Sequence, residues 1–456
     1  MPTTECMPRV RVPIHPKLPV DVTFDAPHIS SDGGALLLRQ LDAKLGLVER
    51  LAAMIPDQRD PRRVVHPRVE QLRQRVYQIA LGYEDCNDAT TLRLDPVLNL
   101  ACDRTISEDQ GLSSQPSLSR LEHAPGARAI VLLQRELERM YVAQLPNDTD
   151  FVVLDVDTTD DPTHGQQPLS FFNAHYNNSI YFPVMVFDGE GRLVSARLRP
   201  GNAGNNRYAL PILERMIRQI KARFPHATIV VRGDSSFCTP RMLACLEHLA
   251  VSLGEIHYLL GIQKNATLCE RAANAMESAK AQHEATSREA VVFTEFDYAA
   301  KRWGGRERHV IAKLQHSALG ANPRFIITSI TGYTPSFIYE HCYCARGQAE
   351  NHIKDFKRAL SADRLSCTKY VANAFRLMLH AVAYRLMYAL RETLAPLAPS
   401  LATVQFDTLR LRLLKVAALV SQSARRFVVA LPRAFPLARL FRGVVVALSG
   451  APPVAA

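Results

Sequence analysis

Two acids stand at the ends of apolar, strand-like runs. Asp157 closes Phe151-Val152-Val153-Leu154-Asp155-Val156-Asp157, and Asp234 follows Val230-Val231-Arg232-Gly233. Carboxylates at strand ends project into the crevice of an open sheet. There they suit hard cations such as Mg²⁺, whose oxygen ligands must converge from separate chain segments. A single acid after a strand is more often a solvated turn or a helix cap, so neither residue decides anything alone. Asp155 competes with Asp157, because it lies on the same strand face two residues earlier.

A third segment adds weight. From Thr334-Pro335 to Lys357 the sequence reads as one long helix, with Thr as N-cap and Pro at the first helical position. At about 100° per residue, Tyr343, Arg346, Glu350 and Lys357 fall within an arc of roughly 60° on its surface. A solvated face would also be polar. This stripe, however, sets one carboxylate between an aromatic hydroxyl and two cations, an arrangement suited to a metal-bound phosphate.

For these groups to meet, a sheet must deliver two of them and a helix the third. Strand candidates at Phe151–Asp157, Ile180–Phe187 and Leu193–Leu198 precede a helix from about Arg207 to Arg223. Asp188-Gly189-Glu190-Gly191 forms a hairpin turn between the second and third of these strands. The strand Thr228–Arg232, a helix near Pro240–Leu249 and the strand His257–Gly261 then follow. Three adjacent antiparallel strands followed by alternating helices and strands describe an α/β fold, a mixed five-stranded sheet of the RNase H kind.

Around this core the pattern predicts further modules. Residues 1–148 read as a helical N-terminal region, a candidate for DNA binding, with apolar residues of Val69–Ala80 and Ile130–Val142 at three- and four-residue steps. Residues 149–262 are the first part of the catalytic core, 263–332 an inserted β-rich subdomain, 333–365 the final core helix, and 366–456 a basic helical C-terminal region. Within the first module, Ser113–Glu122 reads as a turn and a capped helix bearing Ser119 and Arg120. That helix suits either DNA reading or a plain surface position. His164, Asn173 and Tyr176 lie near the first acid, where they line the cleft or serve as caps.

Composition sets the boundaries. The 55 Lys+Arg against 44 Asp+Glu give a formal charge of +11, which favours an acidic polymer as partner. After Leu401, Arg410, Arg412, Lys415, Arg425, Arg426, Arg433, Arg439 and Arg442 face a single acid, Asp407. They make either a salt-sensitive DNA-backbone surface or an idle basic cap. Nine dispersed cysteines match no zinc-knuckle spacing and read as reduced thiols, with Cys342 and Cys344 inert beside Tyr343. The first twenty residues lack a signal-peptide core, and later apolar stretches are interrupted by Arg376, His380 and Arg385. The expectation is a cytoplasmic protein without a membrane span.

Tyr343-x₂-Arg346-x₃-Glu350-x₆-Lys357 resembles the Y-R-E-K signature of DDE transposases of bacterial insertion sequences with an inserted β region. Asp157-Thr158-Thr159 is similar to that family's first acid motif, and Arg232-Gly233-Asp234-Ser235-Ser236-Phe237 to its second. Leu81-Gly82-Tyr83-Glu84-Asp85, Asp161-Pro162-Thr163-His164-Gly165-Gln166 and Gly347-Gln348-Ala349-Glu350-Asn351 resemble the insertion-sequence family numbered thirteen-eighty. The likeness runs from about Val20 through the tail.

The resemblance implies a homodimer that binds inverted terminal repeats and target DNA. It implies two Mg²⁺ ions roughly 4 Å apart, with Mn²⁺ as a substitute. Asp157 would bridge them, Asp234 and Glu350 would each complete one site, and the family motif favours Asp157 over Asp155 as the first acid. Tyr343, Arg346 and Lys357 would contact phosphates. Trp303, the chain's single tryptophan, would stack on an extruded base, against the plainer reading of a packing residue. Two other activities fit the same acids: an RNase H-like nuclease that hydrolyses without joining, and a domesticated DNA-binding protein that has lost its chemistry.

Overall fold

The computed structural model describes residues 10–12, 14, 16–106, 110–204 and 206–450. The chain forms two compact units, one of residues 1–48, 59–119 and 389–456, the other of residues 49–58 and 120–388.

The second unit is built on an eight-stranded mixed sheet. Its strands are β1 (Phe151–Thr158), β2 (Val184–Asp188), β3 (Leu193–Arg197), β4 (Thr228–Gly233), β5 (Ile256–Ile262), β6 (Ala290–Tyr298), β7 (Arg308–Ser317) and β8 (Gly320–Thr328). In space they run β6-β7-β8-β5-β4-β1-β2-β3. β4 is parallel to both β1 and β5, and every other pairing is antiparallel. Four of these first five strands match the expected runs; the expected strand Ile180–Phe187 breaks at Pro183, Ile180 and Tyr181 pairing in a separate three-stranded sheet and Val184 onward forming β2. The sheet nevertheless has eight strands rather than five, because β8 pairs with β5 and carries β7 and β6 outward with it. The open edge of β5 offers unpaired backbone groups, and the later strands satisfy them.

Side-chain alternation assigns the two faces. Val152, Leu154 and Val156 of β1 join Ile229 and Val231 of β4 in the larger core. Helices α1 (Ala127–Gln144), α2 (Ala209–Arg223) and α3 (Pro240–Leu253) cover that face. Ile212, Leu213, Met216, Ile217, Met242, Leu243 and Leu246 are all buried in the same cluster. Each fully buried side chain of this kind contributes about 1.5–3 kcal/mol of transfer free energy. Val153, Asp155 and Asp157 therefore face the other way, where Val230, Leu259, Ile311 and Ile326 pack against Ile338 and Tyr339.

Ile338 and Tyr339 belong to the helical rod expected after Thr334. Thr334 caps it, its hydroxyl accepting from the Phe337 amide at 3.4 Å, with Pro335 at the first turn. The rod is not a uniform α-helix. It is α-helical at Pro335–Phe337, π-helical at Ile338–Tyr343, 3₁₀ at Cys344–Gly347, α-helical again at Gln348–Lys354 and π-helical at Asp355–Ala359. The wide and tight turns reset the phase of the Tyr343–Lys357 stripe, and such departures often mark functional segments.

The first unit is held by a different set of contacts. Its tail is not wholly helical, since Ala418–Gln422 pairs with Phe427–Ala430 and with Ile29–Ser30. Asp32 accepts from the Tyr83 hydroxyl at 2.9 Å and from Lys415 Nζ at 2.7 Å, and that ammonium lies 3.8 Å from the Tyr83 ring centre. Gly82 ends its helix at φ 93°, in the left-handed region, and so turns Tyr83 toward this contact. Arg410 donates to the Ala80 carbonyl at 2.8 Å. The basic tail thus spends Arg410 and Lys415 on structure, while Arg412, Arg425, Arg426, Arg433, Arg439 and Arg442 are exposed. Among the described residues no helix is long and apolar enough to cross a membrane.

Candidate active site

The register of the parallel strands brings the sequence-predicted acids level. Val156 pairs with Gly233, and Gly233 with Leu260. The next residues, Asp157, Asp234 and Gly261, therefore stand side by side at the carboxyl ends of β1, β4 and β5, where an open sheet exposes a crevice. Asp234 is fixed by a local turn, its Oδ1 accepting from the Ser236 amide at 2.9 Å and from the Ser236 hydroxyl. Asp157 is only 14% exposed. Its Oδ1 accepts from the Thr158 amide at 2.8 Å and its Oδ2 from Arg346 Nη1 at 3.3 Å.

The charges of these groups act on one another. Burial pushes the Asp157 carboxyl up to about 6; Arg346 opposes this, while the negative charges of Asp234 and Glu350 add to it. Burial would pull Arg346 down, yet Asp157, Tyr343, Asp234 and Glu350 together hold it above its ordinary value. Tyr343 is raised by burial and by Asp234, against the effect of Arg346. The Tyr176 hydroxyl is raised by burial and by Asp160, Asp157 and Asp234, which sets this tyrosine beside the acids as expected. Glu350 itself is exposed on the rod.

Asp155 takes no part in that crevice. Its two carboxylate oxygens accept from Arg232 Nε and Nη2 at 2.6 and 2.7 Å, and Arg232 Nη1 donates to the Cys342 carbonyl at 2.8 Å. The two residues are direct neighbours across β1 and β4. This buried pair clamps the rod onto the sheet.

Lys357 is anchored on the loop after β1, its Nζ donating to the Asp160 carbonyl at 2.7 Å and to Asp160 Oδ1 at 2.8 Å. Asp160 lies in the loop that follows β1, a position whose sequence signals only a turn. Trp303 follows the plainer of its two readings, that of a packing residue. Its indole is 6% exposed, packs edge-on against Tyr298 at 5.4 Å and lies under the Arg308 guanidinium at 5.0 Å. It belongs to the larger core, so it offers no free face for a base. Arg120 is exposed on the helix Gln115–His123. His164 is exposed, and Asn173 accepts from the His175 amide at 3.0 Å in a local turn. Burial raises the half-buried Cys342 thiol, and Cys344 is exposed.

The donor set suits a hard cation: three carboxylates whose repulsion an added positive charge would relieve, with no imidazole or thiolate among them. Among the described residues no three acids, histidines or cysteines stand close enough together to hold one ion. In this arrangement Arg346, 3.3 Å from Asp157, supplies the positive charge.

The family model of the transposase DDE domain group 1 matches residues 12–453. The chain belongs to this transposase family. Among solved structures, the transposase is similar to piggyBac transposase, determined by cryo-EM as a synaptic complex with hairpin DNA. The similarity covers 83% of this chain and 76% of that one at 10% identity and a TM-score of 0.41. No curated protein sequence matches the transposase.

Proposed function

We propose that this transposase cuts DNA at the ends of its own element and joins the freed 3′-OH to target DNA, through an RNase H-like core. The observation that carries the proposal is that Asp157 and Asp234 stand level at the ends of β1 and β4 while Arg346 of the rod, four residues before Glu350, bonds Asp157 at 3.3 Å. The strand order β3-β2-β1-β4-β5, with β1, β4 and β5 parallel, supports the RNase H-like reading.

In the first step a water oxygen attacks phosphorus, the bond to the 3′ oxygen breaks, and that oxygen takes a proton to become the 3′-OH. In the second, the 3′ oxygen attacks a target phosphodiester, a new bond forms, and a target 3′-OH departs. Divalent cations, Mg²⁺ or Mn²⁺, held by Asp157, Asp234 and Glu350 would activate the attacking oxygen and stabilise the departing one. Arg346 supplies a fixed positive charge beside Asp157 for a phosphate oxygen, and the Tyr343 hydroxyl a neutral donor. Lys357, held by Asp160, adds a second cation to the rim. The six exposed arginines of the tail supply salt-sensitive affinity for the DNA backbone. A homodimer would present two such sites to the two ends of the element.

Purified Asp157→Ala, Asp234→Ala and Glu350→Ala proteins are expected to bind DNA flanking the gene but not cut it with Mg²⁺. Wild-type cleavage by Glu350→Ala would defeat the proposal. A pre-cleaved end that is never joined to a target plasmid would reduce the enzyme to a nuclease.

A further inference from the structure

Beside Asp234 lies a cleft of about 420 Å³, lined by Tyr339, Tyr343 and Arg346 of the rod, by Lys264 and by Arg324. Asp234 is the only acid in its lining among the described residues. Lys264 lies two residues beyond Ile262, the end of β5, and Arg324 lies on β8. Ile262 pairs with Phe325 on the last rung of the antiparallel β5–β8 ladder, so the chain delivers both cations to the same end of the cleft, which both line. Both are exposed, and neither forms an ion pair among the described residues. Long flexible cations that lie together without acids are costly through mutual repulsion unless a polyanion is to be received.

The floor of the cleft is shaped as well as charged. A side chain at Gly261 would meet the Tyr343 hydroxyl and the Ser235 amide, each at 2.8 Å, so the end of β5 lies flush against the rod. Tyr339 and Tyr343 stand 5.6 Å apart along the wall. A volume of this order accommodates one nucleotide of a strand whose backbone continues past the rim.

We propose that this cleft seats the DNA strand next to the scissile phosphate, with Lys264 and Arg324 as a clamp on successive backbone phosphates. The assignment rests on the DNA-cutting reading above and adds to it the two cations and the path of the strand. It also gives the β6–β8 hairpins a purpose, since β8 brings Arg324 to the edge of the catalytic crevice. Phosphate contacts of this kind position the strand and carry no sequence information.

The clamp is tested by the salt dependence of binding to a fluorescein-labelled duplex of the DNA flanking the gene. Full-length wild type is compared with Lys264→Ala, Arg324→Ala and the double variant, and with Lys280→Ala as a cation outside the cleft. Each cleft substitution is expected to lower the slope of log K against log salt by about 0.9, and the double by about 1.8. Lys280→Ala is expected to leave it unchanged. A double variant with the wild-type slope overturns the clamp, as does an equal fall with Lys280→Ala, while DNA cutting by the wild type would still stand. A wild-type protein with no salt-dependent affinity for the duplex overturns both readings.

Discussion

Arg346 Nη1 lies 3.3 Å from Asp157 Oδ2, so the rod's guanidinium partly offsets the burial of that carboxylate on the sheet. Even with that partner, burial holds the Asp157 carboxyl at about 6, above its ordinary 3.8. The folded state therefore binds a proton more readily than the unfolded chain between those values, and stability falls as pH rises through that window. The penalty is complete above about 6 and reaches at most about 3 kcal/mol, at about 1.4 kcal/mol per unit. Without added metal, Asp157→Asn is expected to lack this component, so its stability relative to wild type improves as pH rises through the window. Denaturant unfolding of both proteins across the window measures it, and parallel pH profiles would contradict the assignment.

Asp155 and Arg232 predict a different response to truncation. Their buried pair, with bonds of 2.6 and 2.7 Å, leaves a charged partner stranded if either is truncated. Such a loss costs about 3–5 kcal/mol. Asp155→Ala is expected to lower stability by that amount at neutral pH, whereas Asp157→Ala spares the fold and abolishes cleavage. Equal stability losses in the two variants would show that the acids share one role.

This contrast marks what the sequence could and could not disclose. Alternation along Phe151–Asp157 put Asp155 and Asp157 on one face, and the apolar runs marked the central strands, though Ile180–Phe187 divides between two sheets at Pro183, which has no amide hydrogen to give. Only the β1–β4 register showed that Arg232 stands opposite Asp155 and so removes it from the crevice. The helix stripe located Tyr343, Arg346 and Glu350, but an ideal helix could not foresee the π and 3₁₀ turns, nor that Lys357 would rest on Asp160. Lys264 and Arg324 escaped notice because their proximity depends on a strand pairing across sixty residues of sequence. For Trp303 the sequence left stacking and packing open, and the packed sheet, which buries it, favours packing.

Gly261 offers a steric test of the crevice. A Cβ there would lie 2.8 Å from both the Tyr343 hydroxyl and the Ser235 amide, and 3.2 Å from the Asp234 carbonyl carbon. Gly261→Ala must displace Tyr343 or the Asp234 loop, and a shift of about 1 Å at a reacting centre can cost about 100-fold in rate. Part of that loss is expected to vanish in a Tyr343→Phe background, since removing the hydroxyl removes one of the two clashes. A cleavage-rate cycle over the four proteins should therefore be non-additive. Strict additivity would mean that Gly261 does not press on Tyr343.

The bond from Lys357 to Asp160 makes the last prediction. Lys357 Nζ has two acceptors on one residue, at 2.7 and 2.8 Å, and its side chain is only 18% exposed. The carbonyl survives any substitution at position 160, so Asp160→Ala removes one of the two anchors and leaves the other. The ammonium is then free to swing and must be reordered each time DNA enters. Removing a donor aimed at a developing charge costs about 100- to 1000-fold, so Lys357→Ala is expected to lie in that range. Asp160→Ala, which loosens the donor without deleting it, is expected to cost about 10-fold, by the general expense of imprecise positioning. Single-turnover cleavage with saturating DNA separates the two. If Asp160→Ala matches Lys357→Ala in rate while binding DNA normally, Asp160 contributes more than the placement of Lys357. If it cleaves as fast as wild type, the carbonyl alone positions the lysine.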